Sequence, residues 1–414
     1  MRNFIDFLVS SPSSHHAAHT VEQELNAAGF TSLHEDQPWP SGPGSYVIRR
    51  EGAVIAIHVP ESFGAASAVK IVGSHTDSPG FKLKPTEQFQ AHGWAQAPVE
   101  VYGGPILASW FDRELAFAGR VIRTDGTEKL INTGPIARIP NLAIHLYRSN
   151  TLEPNPQQHM QPLVGLETST ALPELLENLA GGPILAHDLI TVDTQLPQVF
   201  GTDGDLLAAG RLDNLSSVYP SLAAMVQVSA EYEGSDMLVM AAFDHEEVGS
   251  SSTTGAGGPF LEDVLQRAFA ARGLGEDERY AVLARSSCVS ADAAHSVHPN
   301  YAEKHDPQVR PLIGAGPVLK LNAKQRYATT ARTAALWMRS CAAAGVDVQS
   351  FVSNNSVPCG STIGPISATR LGIDTVDVGI PLLSMHSARE MCGLKDVAEL
   401  QAALQAYLAG EADF

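Results

Sequence analysis

Short apolar runs of strand length recur along the chain and alternate with helical patterns. After a helical stretch around residues 20–28, three runs rich in valine and isoleucine follow one another: SYVIRR, AVIAIHVP and VKIVGSH. Later runs repeat the pattern in DMLVMAAFDHEE, CVSAD and DTVDVGIP, with a helical stretch at residues 327–344. Buried strands that alternate with helices predict an α/β fold, with a central mixed, mostly parallel sheet flanked by helices.

The C-terminal segment has the pattern of a closing helix. Asp396 and Glu399 form a D-x-x-E start, and Leu400, Leu404 and Leu408 then recur at helical spacing. This spacing places the three leucines on one face, which is expected to pack on the core.

Residues 89–202 differ from the rest of the chain in composition and in their pattern of apolar residues. Glycine and proline are frequent, and VYGGPILASWFDRELAFAGRVIRTDG favours antiparallel pairing over strand and helix alternation. We predict a second, mainly β domain at residues 89–202. It is inserted into a first domain formed by residues 1–88 and 203–414.

Composition and charge narrow the class of protein. The net charge of −18, with no run of lysine and arginine, argues against nucleic acid as a partner. No segment approaches the roughly 20 apolar residues of a membrane span, and the N-terminal segment lacks the apolar core of a signal peptide. Neither thiolate zinc sites nor a disulfide framework is supported, because the four cysteines form no C-x-x-C pair. We therefore expect a cytoplasmic protein with no membrane partner.

The strongest local signal is GSHTDSP, which directly follows an apolar run and contains His75 and Asp77. Ligands in open α/β sheets gather beyond the carboxyl ends of strands, where His75 is expected. An imidazole can bind zinc while a carboxylate such as Asp77 holds its other nitrogen. Taken alone, H-x-D also fits a surface turn.

A second signal is the acidic pair Glu246 and Glu247 in FDHEEVGS, again at the end of an apolar run. One carboxylate of such a pair can bind a metal while its neighbour acts as general base. A solvated acidic turn is the alternative.

Three further segments place candidate ligands at strand or helix ends. Asp292 ends a strand in CVSADAAHSVHPNY and is followed by His295 and His298, and His386 follows another strand in GIPLLSMHSARE. Asp213 in GRLDN precedes a segment of helical character, although Pro220 complicates that helix. Five such placements together favour a metal site of histidine and carboxylate. This donor set suits zinc, with manganese or cobalt as substitutes, and suffices for two ions that share a bridging carboxylate.

These motifs resemble the aspartyl aminopeptidase and aminopeptidase I family of di-zinc metallopeptidases. The similarity runs from FLVSSPSSHHA to HSARE and includes GSHTDSP, RLDN, DHEEVGS, SADAAHSVHPNY, the segments 316–320 and 325–329, and MHSARE, in the family's order. The resemblance implies a zinc-exopeptidase-like fold. It makes residues 1–88 and 203–414 the catalytic domain, and residues 89–202 the dimerisation or oligomerisation domain.

The resemblance also implies a role for each motif residue. Asp213 would bridge two zinc ions, with His75 and Asp292 completing one site and Glu247 and His386 the other. Glu246 would be the general base that deprotonates the bridging water to a hydroxide, and Asp77 would orient His75. The residues implied for substrate binding are His145, His295, Lys320 and Tyr327, with His145 entering the site of a neighbouring subunit.

The implied activity is hydrolysis of the N-terminal residue, Asp or Glu, from short peptides with a free N-terminus. A cation at Lys320 would bind the acidic side chain, and the family's assembly implies a homo-oligomer, a dodecamer. Two alternatives stay open at this point. One is a di-zinc aminopeptidase that prefers neutral or hydrophobic N-terminal residues, and the other is a non-catalytic protein that keeps the metal only to hold its fold.

Overall fold

The computed structural model describes residues 1–86, 88–149 and 151–411. Within these ranges the helices are α1 (Phe4–Ser10), α2 (Ser14–Ala27), α3 (Pro156–His159), α4 (Leu172–Ala180), α5 (Leu212–Glu231), α6 (Phe260–Ala271), α7 (Glu276–Arg285), α8 (Ala331–Ala343), α9 (Ile363–Leu371) and α10 (Leu394–Ala409). Short 3-10 turns lie at Leu107–Trp110, Glu246–Val248 and Ala302–Lys304.

The strands of the first half are β1 (Thr31–Ser32), β2 (Gly44–Arg50), β3 (Ala53–Val59), β4 (Val69–His75), β5 (Gly80–Leu83), β6 (Phe89–Ala91), β7 (Trp94–Gln96), β8 (Val99–Tyr102), β9 (Glu114–Arg123), β10 (Glu128–Asn132), β11 (Ala137–Arg138), β12 (Leu163–Leu166) and β13 (Ile184–Asp193). Those of the second half are β14 (Gln198–Phe200), β15 (Leu206–Ala209), β16 (Met237–Phe243), β17 (Ser287–Ala291), β18 (Ala294–His295), β19 (Val318–Leu321), β20 (Gln349–Val352), β21 (Asp374–Gly379), β22 (Pro381–Leu382) and β23 (Glu390–Gly393).

The central sheet has the order β1-β2-β3-β16-β4-β17-β21-β19-β20. Its middle strands β16, β4, β17 and β21 pair in parallel, whereas β2-β3, β3-β16 and β21-β19 are antiparallel. The predicted mixed α/β class is confirmed. The prediction of a mostly parallel sheet holds for the middle strands, because the antiparallel pairings lie toward the edges.

Helices cover both faces of this sheet, which explains why its strands are continuous apolar runs. On β4, Val72 packs in the cluster that contains Leu222 of α5, Trp337 of α8 and Leu404 of α10. Its neighbour Ile71 faces the other way, into the cluster that contains Phe260 and Phe269 of α6. Successive side chains of a strand point to opposite faces, so a strand covered on both faces needs apolar residues throughout.

The predicted helices lie where their patterns placed them. The closing helix is α10, and Leu400, Leu404 and Leu408 on it are fully buried. The helical stretch predicted at residues 327–344 begins later, at Ala331, because the Thr330 side chain caps the first turn by accepting from the Thr333 amide. Pro220 lies inside α5.

A second large sheet has the order β6-β7-β12-β11-β9-β13-β5-β8, with β10 paired to β9. Its pairings are antiparallel, as the glycine- and proline-rich sequence predicted. It includes Gly80–Leu83, which precedes the predicted start of the insertion at residue 89. The division into two domains stays a prediction. Among the described residues, none of the helices is long and apolar enough to cross a bilayer.

Candidate metal centre

The carboxyl ends of three neighbouring parallel strands bring the first candidate ligands together. His75 is the last residue of β4, and Asp292 directly follows β17, the strand beside it. Glu246 and Glu247 lie in the 3-10 turn after β16, the neighbour of β4 on its other side. In the register, Phe243 at the end of β16 pairs with His75, so the residues that follow meet at one edge of the sheet.

Asp213 and His386 reach the same edge from other elements. Asp213 lies in the first turn of α5, where its backbone is not helical, and His386 lies in the loop between β22 and β23 with a left-handed φ of 67°. One buried carboxylate joins them: Glu390 accepts from the Asp213 amide at 3.0 Å and from the His386 amide at 2.7 Å. Glu390 ends the MHSARE motif, but nothing in the sequence indicated a role for it in the site.

Asp213 lies between the two histidine rings. Its Oδ1 is 3.4 Å from His75 Nε2, and its Oδ2 is 3.4 Å from His386 Nε2. Asp292 Oδ1 is 3.5 Å from His75 Nε2, and Glu247 Oε2 is 3.5 Å from His386 Nε2. Two ligand groups therefore share Asp213. They are His75, Asp213 and Asp292, and Asp213, Glu247 and His386. Glu246 joins His75 and Glu247 in a third grouping.

These groups fit zinc on two observations. Donor atoms bound to one tetrahedral zinc at 2.0–2.1 Å lie about 3.3–3.4 Å apart, close to the spacings between the rings and carboxylates. In the described part of the chain, the buried oxygens Asp213 Oδ1 and Glu247 Oε1 have no hydrogen-bond partner. Buried carboxylate oxygens are rarely left unpaired, and a cation would satisfy both.

The electrostatics of the site also favour a cation. Burial, and next the charge of Asp213, raises the pKa of Glu247 well above its usual value. Burial raises the pKa of Glu246 to about 7, with Asp292 and Asp213 adding to the effect against an opposing one from His75. Burial alone would lower the pKa of His75, but contacts with Asp213, Asp292 and Asp77 outweigh it and raise that pKa. Negative charge is thus in excess around the two rings.

Asp77 connects several parts of the centre. Its Oδ1 accepts from the Glu246 amide at 3.0 Å, and its Oδ2 accepts from the Glu247 amide at 3.1 Å. The Tyr102 hydroxyl donates to Oδ2 at 2.8 Å. His75 Nδ1 is 3.1 Å from the Asp77 carbonyl oxygen and 3.4 Å from its carboxylate, so the carbonyl is the nearer acceptor. Tyr102 is a second residue that the sequence analysis missed.

One side of the candidate metal centre, beside Asp292, is lined by Lys320, Tyr327 and His295. Lys320 Nζ is 3.5 Å from Asp292 Oδ2 and 5.3 Å from the centre of the Tyr327 ring. Lys320 is only 2% exposed, so it is not a surface lysine. Part of the His295 side chain is exposed. The surrounding protein atoms desolvate its ring and, together with the charge of Lys320, lower its pKa to about 4.

Phe351 also lies on this side of the centre, and no sequence motif had indicated a role for it. Its ring lies 5.8 Å from the His295 ring and 6.3 Å from the Tyr327 ring, measured between centroids. His145 is not part of the cluster within this single chain, since it lies in the exposed segment 141–148. His298 lies farther along the loop after β18, where its ring packs against Tyr301.

Comparisons with known proteins agree with this geometry. Residues 7–408 match the family model described as Aminopeptidase I zinc metalloprotease (M18). A protein of Streptomyces coelicolor named probable M18 family aminopeptidase 2 is 44% identical, over 98% of this chain and 96% of its own length. A Pseudomonas entomophila protein of the same name is 43% identical, over 97% of this chain and 96% of its own.

Solved structures show the same fold. A chain in a cryo-EM structure of the Ape4 and Nbr1 complex superposes with a TM-score of 0.94 at 35% identity, covering 99% of this chain and 85% of that chain. The S. cerevisiae mApe1 dodecamer gives a TM-score of 0.86 at 26% identity, covering 99% and 95%. Family match, relatives and fold agree along nearly the whole chain, which therefore belongs to the M18 family and is a zinc-dependent aminopeptidase, a hydrolase that acts on peptide bonds.

Proposed function

We propose that this aminopeptidase removes one N-terminal residue, Asp or Glu by preference, from short peptides at a centre that holds two zinc ions. The observation that carries the proposal is the position of Asp213. Its two oxygens lie 3.4 Å from the Nε2 atoms of two different histidines, as expected of a carboxylate that bridges two metals. His75 and Asp292 would complete one site, and Glu247 and His386 the other.

The proposed chemistry assigns distinct tasks to the residues. Zinc bound at this centre supplies polarisation of the scissile carbonyl and a lowered pKa for the attacking water. Glu246 is the general base, since neither of the two groups that share Asp213 needs its carboxylate. It takes a proton from the water and returns it to the leaving amine. Asp77 holds Glu246 and Glu247 in place through their amides.

The acidic preference rests on Lys320. A lysine that is 2% exposed and close to Asp292 offers a cation at the edge of the metal centre, where the first side chain of a peptide would lie. Lys320 also faces Asp292 itself, so part of its charge is already balanced. Preference for a neutral or hydrophobic residue is therefore the competing proposal, and the aromatic rings of Tyr327 and Phe351 favour it.

The proposed homo-oligomer rests on exposed apolar side chains, and the proposed cytoplasmic location rests on the free cysteines. We place the oligomer contacts in residues 89–202, where Leu142, Ile144 and Leu146 are 62%, 61% and 75% exposed. Exposed apolar side chains this close together mark protein contacts. His145 lies among them and would enter the site of a neighbouring subunit. All four cysteines are free, which supports a reducing, cytoplasmic environment.

The number of zinc ions can be counted directly. After chelation removes the metal, activity on an aspartyl chromogenic substrate should return with added zinc and level off at two equivalents per chain. Magnesium is the control and should not restore activity, because it disfavours imidazole ligands. Full activity at one equivalent, with the bound metal measured by mass spectrometry, would contradict the two-zinc proposal.

Glu246→Gln should keep both zinc ions but lose nearly all turnover. The amide cannot accept the proton, and general base catalysis contributes about 10²–10⁴ in rate. Zinc content and kcat are measured on the same samples, with Glu233→Gln at an exposed position as the matched control. Unchanged kcat would refute the assigned role of Glu246, and loss of zinc would show that Glu246 is a ligand instead.

Lys320→Ala should change substrate preference. Loss of a charge-assisted contact costs about 1.5–3 kcal/mol, so kcat/KM for an aspartyl substrate should fall about tenfold to a hundredfold more than for a leucyl substrate. The ratio of the two losses is the informative quantity, because loss of the Asp292 contact affects both substrates. Lys324→Ala, at an exposed position of the same segment, is the control. Equal losses on both substrates would remove the acidic preference.

The assembly is measured by native mass spectrometry of the purified chain. A dodecamer has twelve times the 43.9 kDa of one chain. Leu146→Asp should shift the distribution toward smaller species, because it puts a charge into an apolar contact. A 43.9 kDa species alone for the unaltered chain would overturn the proposal.

A further inference from the structure

Residues 102–106, at the end of β8 of the second sheet and just after it, contact the metal centre. This segment, YGGPI, begins at Tyr102, the last residue of β8, and we refer to it as the 102–106 segment. It contributes none of the ligand groups, yet it contacts Asp77, Glu247 and His386.

The first contact is the hydrogen bond from the Tyr102 hydroxyl to Asp77 Oδ2 at 2.8 Å. The same carboxylate accepts the amides of Glu246 and Glu247. Asp77 is 4% exposed, so solvent cannot replace a missing donor easily. Three donors fix the orientation of the carboxylate, and Tyr102 is the only one of them that comes from the second sheet.

The second contact fixes the ring of His386. Its Nδ1 donates to the Gly104 carbonyl oxygen at 3.0 Å, and the Ile106 amide donates to the His386 carbonyl oxygen at 2.9 Å. In the neutral ring that binds a metal, a proton held on Nδ1 leaves Nε2 unprotonated. Nε2 is the atom that faces Asp213 and Glu247, at 3.4 and 3.5 Å. Such bonds to the distal nitrogen set the tautomer and ring orientation of metal-binding histidines.

The third contact is close packing against Glu247. Gly103 has a φ of 67°, and a Cβ atom on it would lie 3.0 Å from the Cβ of Glu247. Glycine is needed there for both the left-handed conformation and the close approach. The segment therefore packs directly against Glu247, whose amide donates to Asp77.

We propose that the 102–106 segment is a positioning element of the metal centre, and that Tyr102 sets, through Asp77, how tightly the centre holds zinc. The inference rests on the proposed zinc ligands and deepens that function. It makes the second sheet part of the catalytic apparatus as well as of the assembly. Tyr102 is a positioning residue, because its hydroxyl acts through Asp77.

Tyr102→Phe in the full chain tests this, since it removes one oxygen and keeps the ring. Partners of metal ligands typically contribute 10–100-fold to metal affinity, and we expect a loss of that size in competition with a chromophoric zinc chelator. The visible absorption bands of the cobalt-substituted enzyme should shift. A lower kcat with KM changed less than about threefold is also expected, because substrate contacts are kept.

Tyr46→Phe is the matched control. Its hydroxyl also makes hydrogen bonds, to the carbonyl oxygens of Gly42 and Pro43, but away from the centre. It should have the zinc affinity and cobalt spectrum of the unaltered chain. Gly103→Ala is the second variant, should Tyr102→Phe fold poorly, and it should weaken zinc binding through Glu247.

The possible results distinguish the positioning role of Tyr102 from the proposed zinc binding on which it rests. If Tyr102→Phe has the same zinc affinity and cobalt spectrum as the unaltered chain, the positioning role alone is overturned. Equal losses in Tyr102→Phe and Tyr46→Phe would do the same, since any lost hydroxyl would then suffice. An unaltered chain that binds no zinc at all would instead overturn the proposed zinc ligands, and this inference with them.

Discussion

The structure depends on holding several carboxylates within a few ångströms of two histidine rings. These carboxylates are Asp77, Asp213, Glu246, Glu247 and Asp292. Burial raises the pKa values of both Glu246 and Glu247, and the charges of neighbouring carboxylates add to the effect. Such a group is tolerable in a folded protein when protons or cations neutralise it. The placement of the acids therefore favours a metal site without sulfur ligands.

The central sheet explains how the acids come to share this space, and this part was predictable from the sequence. His75, Asp292 and the Glu246 turn each follow an apolar run, and parallel strands end at a common edge. The sequence did not give the order of the strands. That order, with β4 between β16 and β17, places His75 between the glutamate turn on one side and Asp292 on the other. The helices could be placed because their periodicity is long and their faces are buried.

The residues that hold the ligands in place were not predictable in the same way. Glu390 bonds to the Asp213 amide across 177 positions, and Tyr102 bonds to Asp77 across 25. No local pattern links such partners, since a tyrosine or a glutamate at the end of a strand has many ordinary uses. Lys320 shows the same limit: its motif suggested a role, but only the fold shows that it is buried and faces Asp292. Substrate preference depends on these contacts and was correspondingly harder to predict.

The paired glycines at 103 and 104 show how one sequence signal can serve two structural purposes. In the sequence they belong to a glycine- and proline-rich region that favours antiparallel pairing, and in the structure they directly follow β8. Their further role appears only in the folded chain. Gly103 approaches Glu247, and a Cβ on Gly104 would lie 3.5 Å from Nδ1 of His386, the atom that donates to the Gly104 carbonyl. A side chain at position 103 would press on Glu247 and hold the segment away from the metal centre. Without a side chain at Gly103, the segment that follows β8 can supply backbone groups to the candidate metal centre.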